Sequence, residues 1–217
     1  MLKKLNKNDF DKLFILLESS FPKDEYRTYE QQKELFGIPE YCPYAVYDSE
    51  QELTAIIVVW EFESLYYIEH FAVNEKYRSR GIGAKMLEEL RQKTDKMICL
   101  EVEPPTNEKA CRRIKFYERN GFFLNDYNYI QPALSKGRNP LPLLIMTTKG
   151  KVDESTFNDI RDILYKNVYK NVSFEFRQCG THFIKDGKMY KLQTKDLCKQ
   201  AKKAAINFKP VSSEINK

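Results

Sequence analysis

The sequence predicts an α/β (α+β) fold: a mixed, mostly antiparallel central sheet flanked by helices, with a C-terminal extension. Three observations predict it. β-type runs follow one another at residues 44–47, 53–62 and 65–73 with polar breaks between them, which reads as an antiparallel meander. Apolar residues (Ile82, Met86, Leu87, Leu90) then recur at helical spacing over 81–94. From Met97 onward strand and helix patterns alternate, so the sheet resumes after each helix.

A short strand over residues 1–5 opens the chain. Phe10, Leu13, Phe14 and Leu17 give the next segment a helical stripe with Asn8 as its cap, and Pro22 breaks it. Residues 24–36 are charged but helix-forming until Gly37 and Pro39 stop them, and they read as a cover. The strand over 97–103 ends at Pro104 and Pro105, and the helix over 107–119 closes at Asn120 and Gly121, residue types that commonly end helices. Two more strands are expected, one beginning at Phe122 and one over 141–148, with a loop holding Pro132, Gly137 and Pro140 between them. Residues 1–150 thus make one domain. The extension, 151–217, offers a helix over 154–169 with Phe157, Ile160, Ile163 and Leu164 as its apolar side. A strand over 172–176, a hairpin about Asp186-Gly187 and a basic helix over 194–208 complete it.

A chain of 217 residues, 42% apolar and 13% aromatic, can bury one substantial core. No apolar run approaches the roughly 20 residues that cross a bilayer, and the N-terminus lacks the apolar middle of a signal peptide, so a cytoplasmic protein with no membrane partner is expected. The five cysteines (Cys42, Cys99, Cys111, Cys179, Cys198) form no CxxC pair, and only His70 and His182 could join them, so no metal is expected. The net charge of +5 is concentrated at the end, where ten Lys or Arg stand against four acids from Asn171 onward. Such a tail could meet nucleic acid, but no aromatics are interleaved with its charges, and a docked helix with solvated lysines is the preferred reading.

The segment richest in chemistry runs from the end of the third β run through Arg78, Ser79, Arg80, Gly81, Ile82, Gly83 and Ala84. A strand there passes through a basic, glycine-containing turn into a helix. Free N–H groups at the helix start can hold a diphosphate, glycines let the backbone approach it, and Arg78 and Arg80 add charge. An ordinary strand-to-helix connection is the plain alternative. No third glycine makes it a dinucleotide fingerprint, and no Gly-Lys-Ser or Gly-Lys-Thr makes it a Walker loop.

With these residues the sequence resembles the GNAT superfamily, whose pyrophosphate loop, Arg/Gln-x-x-Gly-x-Gly/Ala, is matched by Arg78, Gly81 and Gly83. A second signature, Tyr-x-x-x-Gly-Phe at a helix end, is matched by Tyr117, Gly121 and Phe122 in the expected order. The resemblance covers residues 1–148 by element order and leaves the tail outside.

The resemblance implies an N-acetyltransferase that uses acetyl-CoA as co-substrate, with a small-molecule or peptide amine as partner. The pantetheine arm would pair with the backbone of Phe71, Ala72 and Val73, and the diphosphate would sit on the 78–84 turn. A tyrosine at the position of Tyr117 often protonates the departing thiolate, and an acid on the central strand, here Glu69, often serves the nitrogen side as base. Family members often dimerise, which leaves a homodimer open.

Most amines are protonated at neutral pH, so some base or proton-accepting water chain is needed. The alternative for Tyr117 is a core aromatic among Phe116, Phe122 and Phe123, with motif position favouring the catalytic role, whereas Glu69 can equally be a structural carboxylate and His70 a satisfied core imidazole. Strand alternation places Glu69 and His70 on opposite faces unless a bulge intervenes. Glu61, Glu63, Glu101 and Glu103 are further acids on neighbouring strands. Many family members carry an asparagine seven residues before the tyrosine, where this chain has Ala110; Asn107, ten before, is the substitute pantetheine contact. Arg112 and Arg113 could reach a nucleotide phosphate or form a solvated helix face. The competing reading is a non-catalytic CoA-binding regulator or interaction module with the same fold.

Overall fold

A computed structural model describes residues 2–170, 182–185 and 188–191. They divide into two compact units, Met1–Leu100 with Thr147–Lys149, and Glu101–Met146 with the chain from Gly150 onward.

In the first unit the strands β1 (Lys3–Lys4), β2 (Tyr41–Tyr47), β3 (Leu53–Glu61) and β4 (Leu65–Val73) lie side by side in chain order, each antiparallel to the next. β5 (Met97–Val102) then joins β4 in parallel, with Leu65 opposite Met97 and Ile68 opposite Leu100. The expected meander is therefore present, and the parallel step follows the helix α3 (Ile82–Gln92) as a crossover requires. Helices α1 (Phe10–Ser20) and α3 both touch β3 and β4. Every residue of β3 except Glu61 is buried, as a strand covered on both faces demands. Leu13 and Leu17 of α1 and Met86, Leu87 and Leu90 of α3 are buried, as are Ile56, Trp60 and Tyr67 of the sheet.

Two details differ from the sequence reading. β2 begins at Tyr41, although Pro43 argues against a strand there; its carbonyl accepts from Leu5 N (2.9 Å), so the missing N–H costs this ladder little. The cover is also not one helix. It is a single 3-10 turn (Lys23–Glu25), an extended stretch over Tyr26, a short helix α2 (Tyr29–Glu34) capped by Thr28, and another 3-10 turn (Leu35–Gly37). Tyr26 and Arg27 are both buried, and burying them side by side requires extended backbone where a helix would have turned one outward.

In the second unit β8 (Leu141–Thr147) lies beside the two-residue β6 (Phe123–Leu124), and β7 (Tyr129–Gln131) pairs antiparallel with β8. β7 was not legible in sequence because three residues are too few to show alternation. Helix α4 (Glu108–Arg119) contacts β6, and α5 (Glu154–Asn167) buries Phe157, Ile160, Leu164 and Tyr165. Asn125 ties this unit together. Its Nδ2 donates to Ile145 O (3.1 Å) and its Oδ1 accepts from Val152 N (2.9 Å), both far along the chain. Asn125→Ala is expected to lower unfolding free energy by about 1–3 kcal/mol, because Val152 N loses its acceptor, while Ile145 O keeps the backbone N–H of residue 125. An unchanged urea midpoint would refute this.

β9 (His182–Lys185) and β10 (Lys188–Lys191) pair antiparallel across residues 186–187. The strand expected over 172–176 and the basic helix expected over 194–208 lie outside the described residues.

Candidate active site

β4 leads directly into the phosphate-binding candidate. Asn74 caps one 3-10 turn (Glu75–Tyr77), after which Arg78 returns to extended backbone and its Nε donates to Val73 O (3.1 Å). Tyr77 OH donates to Asp48 Oδ2 (2.6 Å), and the Arg80 guanidinium lies 5.3 Å above the Tyr77 ring. Ser79 and Gly81 both have left-handed backbone, φ 63° and 74°. Nothing lies within 4 Å of where a Gly81 Cβ would stand, so glycine is required there by conformation and not by crowding. Gly81 is also the N-cap of α3 and offers no side chain to its first N–H groups. Arg78, Ser79, Arg80, Gly81, Ile82, Gly83 and Ala84 thus form a pinned turn whose helix start points backbone donors outward, a shape suited to an anion.

Upstream, the β4–β5 register ends at Ile68 opposite Leu100, and β4 continues through Phe71, Ala72 and Val73, held on its other side by Ile57, Ile56 and Ala55.

Glu69 occupies a bulge. The β3–β4 register shifts there, with Val59 opposite Ile68 and Val58 opposite His70, so Glu69 is the extra residue. Its Oε1 accepts from Arg27 Nη1 (2.5 Å) and its Oε2 from Trp60 Nε1 (3.0 Å), with the carboxylate side chain 4% exposed and that of Arg27 7%. Burial alone would raise this carboxyl, but the Arg27 charge, then His70, and the two hydrogen bonds outweigh it and hold it below the usual range. Close by, Gln32 Nε2 donates to Tyr41 OH (2.6 Å), and the Glu69 charge joins burial in raising that phenol.

The bulge also removes the opposition between Glu69 and His70 that plain alternation requires: Glu69 Oε2 lies 3.8 Å from His70 Nδ1. His70 Nε2 is 2.9 Å from the Glu25 carbonyl, and the Phe21 ring meets the imidazole edge-on at 5.2 Å.

In the second unit Tyr117 is buried among Phe116 and Phe122, with ring centroids 5.4 and 5.7 Å away. Its carbonyl accepts from Asn120 N and Phe122 N, closing α4. Burial pushes its hydroxyl up to about 12, with Arg113 pulling the other way. Asn107 is the N-cap of α4: its Oδ1 accepts from Ala110 N (2.9 Å) and its Nδ2 donates to Thr106 Oγ1 (3.5 Å), which leaves the second amide N–H as the group it could offer a ligand. Arg113 pairs with Glu103 at 2.7 Å and Arg112 with Glu108 at 3.6 Å. Glu101 accepts from Tyr169 OH at 2.9 Å. In the first unit Glu61 accepts from Tyr44 OH at 2.6 Å.

Sequence reasoning singled out the turn and the strand acid but not Arg27, the buried partner of Glu69, because a single arginine in a charged segment carries no sign of being buried. A bulge leaves no clear mark either, although Glu69-His70 inside an otherwise apolar and aromatic strand was the available hint.

The model of the GNAT acetyltransferase family matches residues 10–122. A solved GNAT-family acetyltransferase from Bacteroides thetaiotaomicron is 34% identical, aligns with 79% of this chain and 99% of its own, and superposes with a TM-score of 0.71. YjbC of Bacillus subtilis (strain 168), which carries an acetyltransferase name, is 26% identical over 149 residues, 67% of this chain and 70% of its own. An aminoglycoside 6′-N-acetyltransferase complexed with coenzyme A shares the fold at 17% identity and TM-score 0.50, over 68% of this chain and 96% of its own. The chain belongs to the GNAT family and is an acetyl-CoA-dependent N-acetyltransferase.

Proposed function

We propose that the enzyme moves the acetyl group of acetyl-CoA directly to a primary amine of a small molecule or peptide, within one ternary complex. The observation that carries this reading is the pinned 78–84 turn, with left-handed backbone at Ser79 and Gly81 and an uncapped helix start beside two arginines. The diphosphate binds to this turn, the pantetheine arm runs along the Phe71, Ala72 and Val73 backbone, and Asn107 contributes its amide nitrogen.

The chemistry divides between two sides. Glu69 is the carboxylate that favours loss of the proton from the attacking nitrogen, and its depressed pKa keeps it ionised for that purpose. Tyr117 protonates sulfur as the C–S bond breaks; a phenol raised to about 12 stays protonated at every physiological pH and so is always charged with its proton.

Incubation with acetyl-CoA and a panel of amines, read as free thiol, tests this. Thiol release that depends on the amine is expected, together with heat of CoA binding in calorimetry that falls at least about tenfold in affinity when Gly81 is replaced by Val, since a β-branched residue resists φ near 74°. Heat without amine-dependent thiol would instead mark a CoA-binding regulator, and neither signal would defeat the reading.

A further inference from the structure

The turn between β2 and β3 lies at the end of the sheet where β4 enters the 78–84 turn: Asn74 N donates to Thr54 O (2.9 Å), just beyond the pairing of Val73 with Ala55. Asp48, in that turn, divides its two oxygens. Oδ1 accepts from Glu50 N and Glu52 N (2.9 Å each) and so builds its own turn, whereas Oδ2 accepts from Tyr77 OH (2.6 Å), 29 residues further along the chain. These bonds, that of Tyr77 first, hold the Asp48 carboxyl below its usual range, so the acceptor is ionised at neutral pH and the bond is charge-assisted. Tyr77 is half-buried, and its ring carries the Arg80 guanidinium at 5.3 Å. Arg80 makes no ion pair among the described residues, so its charge is not consumed by Asp48 or by any other acid. Arg78, by contrast, already spends its Nε on Val73 O.

We infer that Asp48 and Tyr77 are positioning residues of the cofactor turn: Asp48 fixes the Tyr77 ring, the ring fixes Arg80, and Arg80 is thereby presented to the diphosphate of acetyl-CoA. This deepens the acetyl-transfer reading and rests on it. The turn has need of such a brace. Ser79 is not glycine, yet it holds φ 63°, a conformation disfavoured for any residue with a Cβ. Helix α3 anchors the far side of the turn, and the Asp48–Tyr77 bond anchors the near side, two residues before Ser79. Arg80 itself is exposed, and a free arginine surrenders rotamer freedom when it meets an anion. One that already rests on a ring has surrendered part of it before the ligand arrives, which favours binding. A guanidinium over a ring also keeps its N–H edge, a fork suited to two oxygens at once. Asp48 acts only through Tyr77, and Tyr77 only through Arg80 and the backbone that follows it.

Calorimetric titration of the full-length protein with CoA, alongside steady-state kinetics, tests this series of contacts. Tyr77→Phe keeps the ring beneath Arg80 and removes only the bond to Asp48, whereas Tyr77→Leu removes both. CoA affinity is expected to fall roughly threefold in the first and roughly fivefold in the second, with KM for acetyl-CoA rising in step and kcat within about twofold of wild type. The deciding comparison is made in the Arg80→Met background, where the ring has no guanidinium to hold: there Tyr77→Leu is expected to weaken CoA binding by less than about 1.5-fold. An equal loss with and without Arg80 would mark Tyr77 as a merely structural residue and overturn the proposal, as would wild-type affinity in both Tyr77 variants. Asp48→Asn keeps an oxygen for its own turn and removes the charged acceptor, so it is expected to match Tyr77→Phe, and the pair together to be no weaker than either alone. Additive losses would overturn the role of Asp48. Wild-type protein that takes up no CoA overturns the parent reading as well, which separates the two failures.

Discussion

Replacing Tyr117 with Phe is expected to lower kcat by roughly 100-fold while leaving the calorimetric affinity for CoA within about threefold. The substitution keeps the ring, and with it the edge contacts to Phe116 and Phe122 that close α4. It removes only the hydroxyl, whose raised pKa of about 12 means that no basic limb in the wild-type profile should come from this residue at physiological pH. The loss should fall on kcat and spare KM, as for an interaction made only in the transition state. A rate unchanged at saturating substrates would return Tyr117 to the core-aromatic reading. Equal loss of turnover and of melting temperature would do the same.

Arg27→Met should be the most destabilising single change in the first unit, at about 3–5 kcal/mol in urea denaturation, because it leaves the Glu69 carboxylate buried without its cation. The double variant Arg27→Met with Glu69→Gln should recover a substantial part of that loss, since a neutral amide removes the stranded charge. A double variant no more stable than the single one would refute the account. The pH dependence has a definite sign. Glu69 is depressed in the folded state, so its contribution is complete above the ordinary carboxylate value and is lost as pH falls through its folded value. His70 is depressed as well; the unfolded chain takes up its proton first, and stability declines as pH falls below the usual imidazole value. Both groups therefore weaken the fold toward acid, histidine first. Arg27→Met should therefore cost less at acid pH than at neutral pH, because protonating Glu69 removes the stranded charge as the amide does.

The order of strands and helices was readable because it depends on periodicity, and periodicity survives without tertiary information: the stripe of Met86, Leu87 and Leu90 and the meander through Val73 are both where the pattern set them. The conformation of the 78–84 turn was readable because glycine at position 81 has a backbone reason that shows in residue type. The cover was misread as one helix because Tyr26 and Arg27 are extended for the sake of partners more than ten residues away in sequence. Pro43 misled at β2 because the rule against proline concerns the N–H of a ladder, and only the register shows whether that N–H was needed. Asn107 was noted as a ligand contact, and its helix cap was visible in sequence too, but nothing in residue type says which duty a given side-chain oxygen performs.

The insertion at position 69 separates architecture from chemistry at one site. Ile68 and His70 already face consecutive partners, Val59 and Val58, so the ladder between them would be unbroken if Glu69 were absent. A chain shortened by that one residue should assemble the same hairpin with its downstream partners in place, while Arg27 loses its anion and the imidazole its companion. On the role proposed for Glu69, an inert copy of this scaffold differs from a working one by a single codon, and the sheet itself does not record the difference.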